Sequence, residues 1–220
     1  VEFSHQAGQI TVRAASGMSL IALARMCISR RAAGLEWAVS VPGTVGGALV
    51  GNAGAHGEDI AGSLVLADIL QRNGSARSWS AEELELSYRW SRLKAARGEY
   101  VVLGAEFQLS PEEDPLIKTK VESYLKQRRQ TQPPGASIGS MFKNPSGDYA
   151  GRLIESARLK GRRIGSACIS STHANFFMNL GGAKAIDVYE LITLAQTAVR
   201  NEVGVELELE IELVGEWGEY

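Results

Sequence analysis

The sequence predicts an α+β protein of two domains. Two observations carry this. Apolar spacing switches between period 2 and period 3.6 from segment to segment, without the regular strand–helix–strand order of a parallel sheet. The stretch Ser110 to Pro115 is polar, acidic and carries two prolines. Such composition marks a joint, and it divides the chain into residues 1–112 and 113–220. No internal repeat is visible.

In order along the chain, the first residues are strand-like and Gln9 to Ala14 reads as a strand. Ser19 to Ala32 reads as a helix, with Leu20, Leu23, Ala24 and Cys27 as its apolar stripe and Gly34 as its stop. Trp37 to Ala55 is weakly polar but broken by glycines and a proline, so no stable helix is expected there. Ser63 to Arg72 is β-like and leads into Asn73-Gly74, a strong hairpin signal. Ser80 and Glu83 form a capping box for a short helical turn. Tyr100 to Leu109 is a further strand.

Beyond the joint, Pro115 to about Arg129 reads as a helix with Ile117, Val121, Tyr124 and Leu125 on one face, ended by Pro133-Pro134-Gly135. Tyr149 to Ala157 places Ala150, Leu153, Ile154 and Ala157 on one helical side. Asn175 to Leu180 is a short strand turning at Gly181-Gly182. Asp187 caps a last helix that Gly204 ends, and Val205 to Val214 alternates as a strand.

Composition excludes several function classes. The chain has 220 residues, with 23 basic against 25 acidic side chains and a net charge of −2. That balance argues against a nucleic-acid binder, and no apolar run is long enough to span a membrane. Cys27 and Cys168 fit neither a metal motif nor a disulfide framework. Both read as buried thiols in a reducing compartment, with no metal site and no signal peptide. The chain opens on Val1 rather than Met, so an upstream portion is expected.

The most informative stretch is Val41-Pro-Gly-Thr-Val-Gly-Gly-Ala-Leu-Val-Gly-Asn-Ala-Gly-Ala-His-Gly57. Its glycines permit positive φ and close approach of a ligand to the backbone, and a run of free N–H groups there would suit a pyrophosphate. The alternative is a tight turn packed on a sheet. Neither the Rossmann fingerprint nor a P-loop is present.

This stretch, with Gly34-Leu-Glu36 before it, resembles the UDP-N-acetylenolpyruvoylglucosamine reductase (MurB) family of flavoenzymes. The resemblance continues through Ser87-Tyr-Arg-Trp-Ser91, Ser137-Ile-Gly-Ser-Met-Phe-Lys-Asn-Pro145, Ala150-Gly-Arg-Leu-Ile-Glu155 and Leu159-Lys-Gly161. It closes with His173-Ala-Asn-Phe-Phe-Met-Asn179 and Leu207-Glu-Leu-Glu-Ile211. Ser40 and His56 depart from it, standing where the family more often has glycine and tyrosine. The family's earlier flavin segment would lie ahead of Val1.

The resemblance implies the second part of a PCMH-type FAD-binding domain, followed by a smaller α+β substrate-binding domain. It implies FAD as cofactor, NADPH as hydride source, and a UDP-sugar enolpyruvyl ether as a cytoplasmic small-molecule substrate, with no nucleic acid or membrane partner. It assigns Pro42, Gly43, Thr44, Gly46, Gly47, Asn52, Ala53 and Gly54 to the cofactor, and Tyr88, Lys143, Asn144 and His173 to the substrate. Catalysis falls to Arg89, Ser140 and Glu210, in a cleft between the domains. Charge developing on the enolpyruvyl carboxylate calls for a cation, the role of Arg89. Protonation of the adjacent carbon calls for a general acid, the role of Ser140. Glu206, Glu208, Glu210 and Glu212 share one face of an alternating segment, and periodicity does not choose among them. Only the resemblance selects Glu210, to polarise the carboxylate with Arg89. The rival readings are another oxidoreductase of the same flavin fold and a non-catalytic nucleotide-sugar-binding module.

Overall fold

A computed structural model describes residues 1–216. The chain forms two compact units, Val1–Lys126 and Gln127–Tyr220. They divide inside a helix, further along than the 112/113 joint read from composition. The reason lies in that helix: the side chains of Lys120 and Tyr124 are engaged with the first unit.

The first unit is built on an antiparallel sheet. Strands β1 (Glu2–Gln6) and β2 (Gln9–Ala15) form a hairpin over Ala7 and Gly8, both at positive φ. Helix α1 (Leu20–Ser29) starts at Ser19, whose Oγ accepts from Ala22 N–H, and buries Leu20, Leu23, Ala24 and Cys27. It ends before the expected stop because Arg31 takes φ +58° and reverses the chain into β3 (Ala32–Ala33). The 3-10 turn Glu36–Ser40 follows, then α2 (Val45–Val50). This six-residue helix corrects the expectation of none, because Thr44 caps it.

Strands β4 (Gly54–Ala55) and β5 (Glu58–Asp59) make a tight hairpin over His56 and Gly57, at φ +57° and +84°. Strands β6 (Leu64–Gln71) and β7 (Ala76–Ser80) flank the Asn73-Gly74 turn, where Gly74 lies at φ +85°. The Ser80–Glu83 box forms as expected, each side chain accepting the other residue's backbone N–H. After the short α3 (Arg92–Ala95), β8 (Tyr100–Pro111) completes a sheet of order β1-β2-β8-β6-β7, with β3 also on β8. One face of the sheet and α1 close a core around Trp37, Leu49, Ile69 and Phe107.

Helix α4 (Asp114–Thr131) buries Ile117 and half-buries Val121, Tyr124 and Leu125. The second unit has a four-stranded antiparallel sheet of order β10-β11-β12-β9, made of β9 (Ser137–Ser140), β10 (Arg163–Ile164), β11 (Ala167–Ile169) and β12 (Phe176–Asn179). Helices α5 (Ala150–Ser156) and α6 (Ala185–Val203) pack around a core that includes Phe142, Leu153, Phe177 and Leu191.

Three expectations are corrected here. Asp187 is not the first cap of α6: it sits in the first turn, and its carboxylate accepts from Lys184 N–H. Cys27 is buried and its thiol is pushed up to about 12 by that burial, but Cys168 is only half-buried. On β11 it points away from the core that Ala167 and Ile169 face. Val205 to Val214 is not a continuous strand. Only the stretch around Leu209 pairs, against Phe142. Pro145, soon after, has no N–H to extend the ladder.

Candidate active site

In the first unit the glycine stretch and the turn holding Arg89 are laced together at three points. Ser91 Oγ donates to Val50 O at 2.6 Å, Asn52 Nδ2 to Ser87 O at 2.9 Å, and Arg89 Nη2 to Gly54 O at 2.9 Å. Asn52 is 1% exposed. Its remaining amide atoms are engaged too, Nδ2 also donating to Asp59 and Oδ1 accepting from Ala61 N–H. Asn52, His56 and Arg89 all take positive φ, a concentration of strained backbone of the kind found at ligand sites. The guanidinium of Arg89 also lies over the Tyr88 ring at 5.1 Å, and half of Tyr88 is exposed.

The glycines divide by what a side chain would meet. At Gly46 a Cβ would fall 2.9 Å from the Ser16 Cβ, and at Gly54 it would fall 2.5 Å from Glu58 O. Those two glycines permit internal packing. Gly43, at φ +117°, has nothing within 4 Å of that position, and Gly47 meets only Thr44 Oγ1 at 3.5 Å. The run of free amides inferred from the sequence is interrupted. The N–H groups of Val45, Gly46, Gly47 and Ala48 donate to Met18 O, Ser16 O, Thr44 Oγ1 and Thr44 O. What stays exposed on this surface is Pro42, Gly43, Thr44 and Gly47; Ala53 is half-buried.

In the second unit, Ser140 ends β9 and is half-buried opposite Phe176. The next residues meet the C-terminal segment: Glu210 N–H donates to Met141 O at 2.9 Å, and Lys143 N–H to Glu208 O at 2.8 Å. The backbone of Glu210 therefore lies one residue from Ser140. Glu206 pairs with Arg200 and Glu208 with Lys143. Glu206, Glu208 and Glu212 are exposed, and Glu210 is half-buried. Burial thus separates Glu210 from the other three.

Asn144 Oδ1 accepts from the N–H of Ala150, the first residue of α5, at 3.1 Å. His173 is half-buried on a turn held by Ser170 Oγ, and its Nδ1 accepts from Asn175 N–H at 3.2 Å. Burial holds its pKa below the ordinary histidine value, helped by the charge of Lys160. Nδ1 being an acceptor places the proton of the neutral ring on Nε2.

Sequence reasoning missed Asn175. It is buried, accepts from Phe142 N–H and donates to Phe142 O, while its own carbonyl accepts from Met141 N–H. It fixes the backbone just after Ser140. The available signal was a polar residue in a short apolar run, Ala174-Asn-Phe-Phe177. Among the described residues, no cluster of His, Cys, Asp or Glu could hold a metal ion.

Comparison with known proteins now decides the family. Residues 130–214 match the model of the UDP-N-acetylenolpyruvoylglucosamine reductase C-terminal domain, and residues 2–75 match an FAD binding domain. The UDP-N-acetylenolpyruvoylglucosamine reductase of Chloroflexus aurantiacus is 42% identical over 202 residues, 90% of this chain and 68% of that protein. The chain belongs to the UDP-N-acetylenolpyruvoylglucosamine reductase family. The reductase of Rubrobacter xylanophilus is 45% identical over 94% of this chain and 69% of its own length. Among solved structures, the reductase of Thermus caldophilus superposes with a TM-score of 0.81 at 33% identity, covering 95% of this chain and 73% of that one. The chain thus spans about two thirds of the length of its reductase relatives. The backbone at Pro42 to Thr44 and at Gly47 is exposed, with open space beside Gly43, while Gly46, Asn52 and Gly54 are packed within the first unit.

Proposed function

We propose that this chain acts as an NADPH-dependent flavoenzyme of peptidoglycan precursor synthesis, reducing UDP-N-acetylglucosamine-enolpyruvate to UDP-N-acetylmuramate in the cytoplasm. The observation that carries the proposal is kinship at 42% identity along 90% of the chain with a reductase of that name. No helix among the described residues is long and apolar enough to cross a membrane. We assign it no nucleic-acid or membrane partner.

Bound FAD would supply hydride transfer from NADPH to the enolpyruvyl double bond. The chain's own residues supply position, charge and a proton. Pro42, Gly43, Thr44 and Gly47 present backbone to the cofactor, with Ala53 at its border. Arg89, preoriented by the Gly54 carbonyl, stabilises negative charge on the substrate carboxylate. Ser140 donates the proton to the adjacent carbon, and Glu210 polarises the carboxylate. Lys143, Asn144, His173 and Tyr88 contact substrate. Lys143 reaches that role from its pair with the exposed Glu208, and His173 from its Nε2–H.

Rapid mixing of the flavin-loaded enzyme separates the halves of the reaction. Flavin reduction by NADPH needs no proton at the enolpyruvyl carbon, so Ser140→Ala leaves it intact. Reoxidation by substrate needs that proton and slows by about 10²–10⁴-fold. Equal slowing of both halves would remove Ser140 from the chemistry.

A further inference from the structure

The carbonyl that holds Arg89 belongs to Gly54, on β4, and β4 is one half of a two-stranded hairpin. Such a pair is not stable alone. Its partner strand is gripped from outside. Tyr124 of α4 donates its hydroxyl to Glu58 Oε1 at 2.7 Å and stacks on the ring of His56, at the hairpin tip, with centroids 4.1 Å apart and planes 8° from parallel. Lys120, one turn earlier on α4, reaches Glu58 at 2.9 Å and the buried Glu36 at 3.3 Å.

The electrostatics agree with the geometry. Burial and the Glu58 hydrogen bond push the Tyr124 hydroxyl up to about 12, so it remains a donor. Burial alone would lower Lys120, but the carboxylates of Glu58 and Glu36 outweigh it and raise its pKa. The hairpin itself leaves little slack, because Gly54 lies directly against the Glu58 carbonyl. A shift of Glu58 is therefore passed to the oxygen that accepts from Arg89.

We propose that Glu58, clamped by Tyr124 and Lys120, is a positioning residue for Arg89. It acts through the hairpin and touches neither cofactor nor substrate. The inference rests on the role given to Arg89 above. Displacing a charge-stabilising group by a fraction of an ångström costs rate even when the fold survives.

The test is a double-mutant cycle on the flavin-loaded enzyme. Glu58→Ala and Tyr124→Phe are each made in the native and the Arg89→Ala backgrounds. Substrate-driven reoxidation, NADPH-driven reduction, substrate Kd for the oxidised enzyme and melting temperature are measured. Each single variant is expected to slow reoxidation by about 10–100-fold and weaken substrate binding, with reduction by NADPH unchanged. In the Arg89→Ala background neither should slow it further. Lys118→Ala, on the exposed side of the same helix, should change nothing. Undiminished reoxidation in the single variants overturns the inference, and so does a slowing that persists in full without Arg89. If Arg89→Ala itself is silent, the role of Arg89 falls and the inference falls with it. If Arg89→Ala is slow and the Glu58 and Tyr124 variants are silent, only the inference falls. Should Glu58→Ala fail to fold, Tyr124→Phe alone completes the cycle.

Discussion

The pKa of His173 is lowered chiefly by burial of its ring, with the charge of Lys160 adding to it, against a backbone hydrogen bond and Glu155 that raise it. Its folded-state pKa lies below the unfolded value of 6.5. It therefore contributes stability that is present above the unfolded pKa and is lost as pH falls through the folded one. In a proton NMR titration the His173 midpoint should lie below 6.5; a midpoint above it would contradict this environment. Residues of this kind show how far a sequence can be read. The resemblance named His173, but the amide beside it that anchors Phe142 had no periodic signature. The four C-terminal glutamates were equivalent in pattern because alternation assigns a face and nothing more. Burial distinguishes Glu210 from the other three, and burial depends on tertiary packing, such as the pairing of Glu210 N–H with Met141 O, which is remote in the sequence.

At the scale of elements, α2 puts two glycines with opposite duties side by side. Gly46→Ala would drive a Cβ into Ser16 and should cost about 1–3 kcal/mol through overpacking. Gly47→Ala meets no such obstacle and should gain about 0.5–1 kcal/mol from the better helix former. Thermal melts of flavin-free protein would show opposite shifts, and flavin absorbance after purification would be reduced in both variants. Full flavin retention by the more stable Gly47→Ala would exclude close approach at that position. The long periodic elements, α1, α4, α6, β2 and β8, were legible because many residues vote for one face. The two-residue strands β3, β4, β5 and β10 were not, since a strand that short has no period. They exist through tertiary pairing, such as Ala32 and Ala33 on the end of β8. The His56-Gly57 turn was the only local mark of the β4–β5 hairpin.

For the molecule as a whole, composition put the joint at 112/113, whereas the compact units divide at 126/127, and Lys120 and Tyr124 tie the start of α4 to the first unit. Each unit has its own core. The sheet of the first unit is threaded in a way that has a temporal consequence. Its order, β1-β2-β8-β6-β7, puts the last strand made, β8, between the two earlier hairpins. A nascent chain that has not yet released Tyr100–Pro111 from the ribosome holds two hairpins with nothing to join them. Since long-range pairing must wait for that strand, the unit is expected to gain protection in one step during synthesis, whatever the pace of translation. Stalled chains of increasing length, probed by limited proteolysis, should stay sensitive until β8 has emerged. Resistance in chains ending before Tyr100 would mean that the hairpins find each other without their central strand.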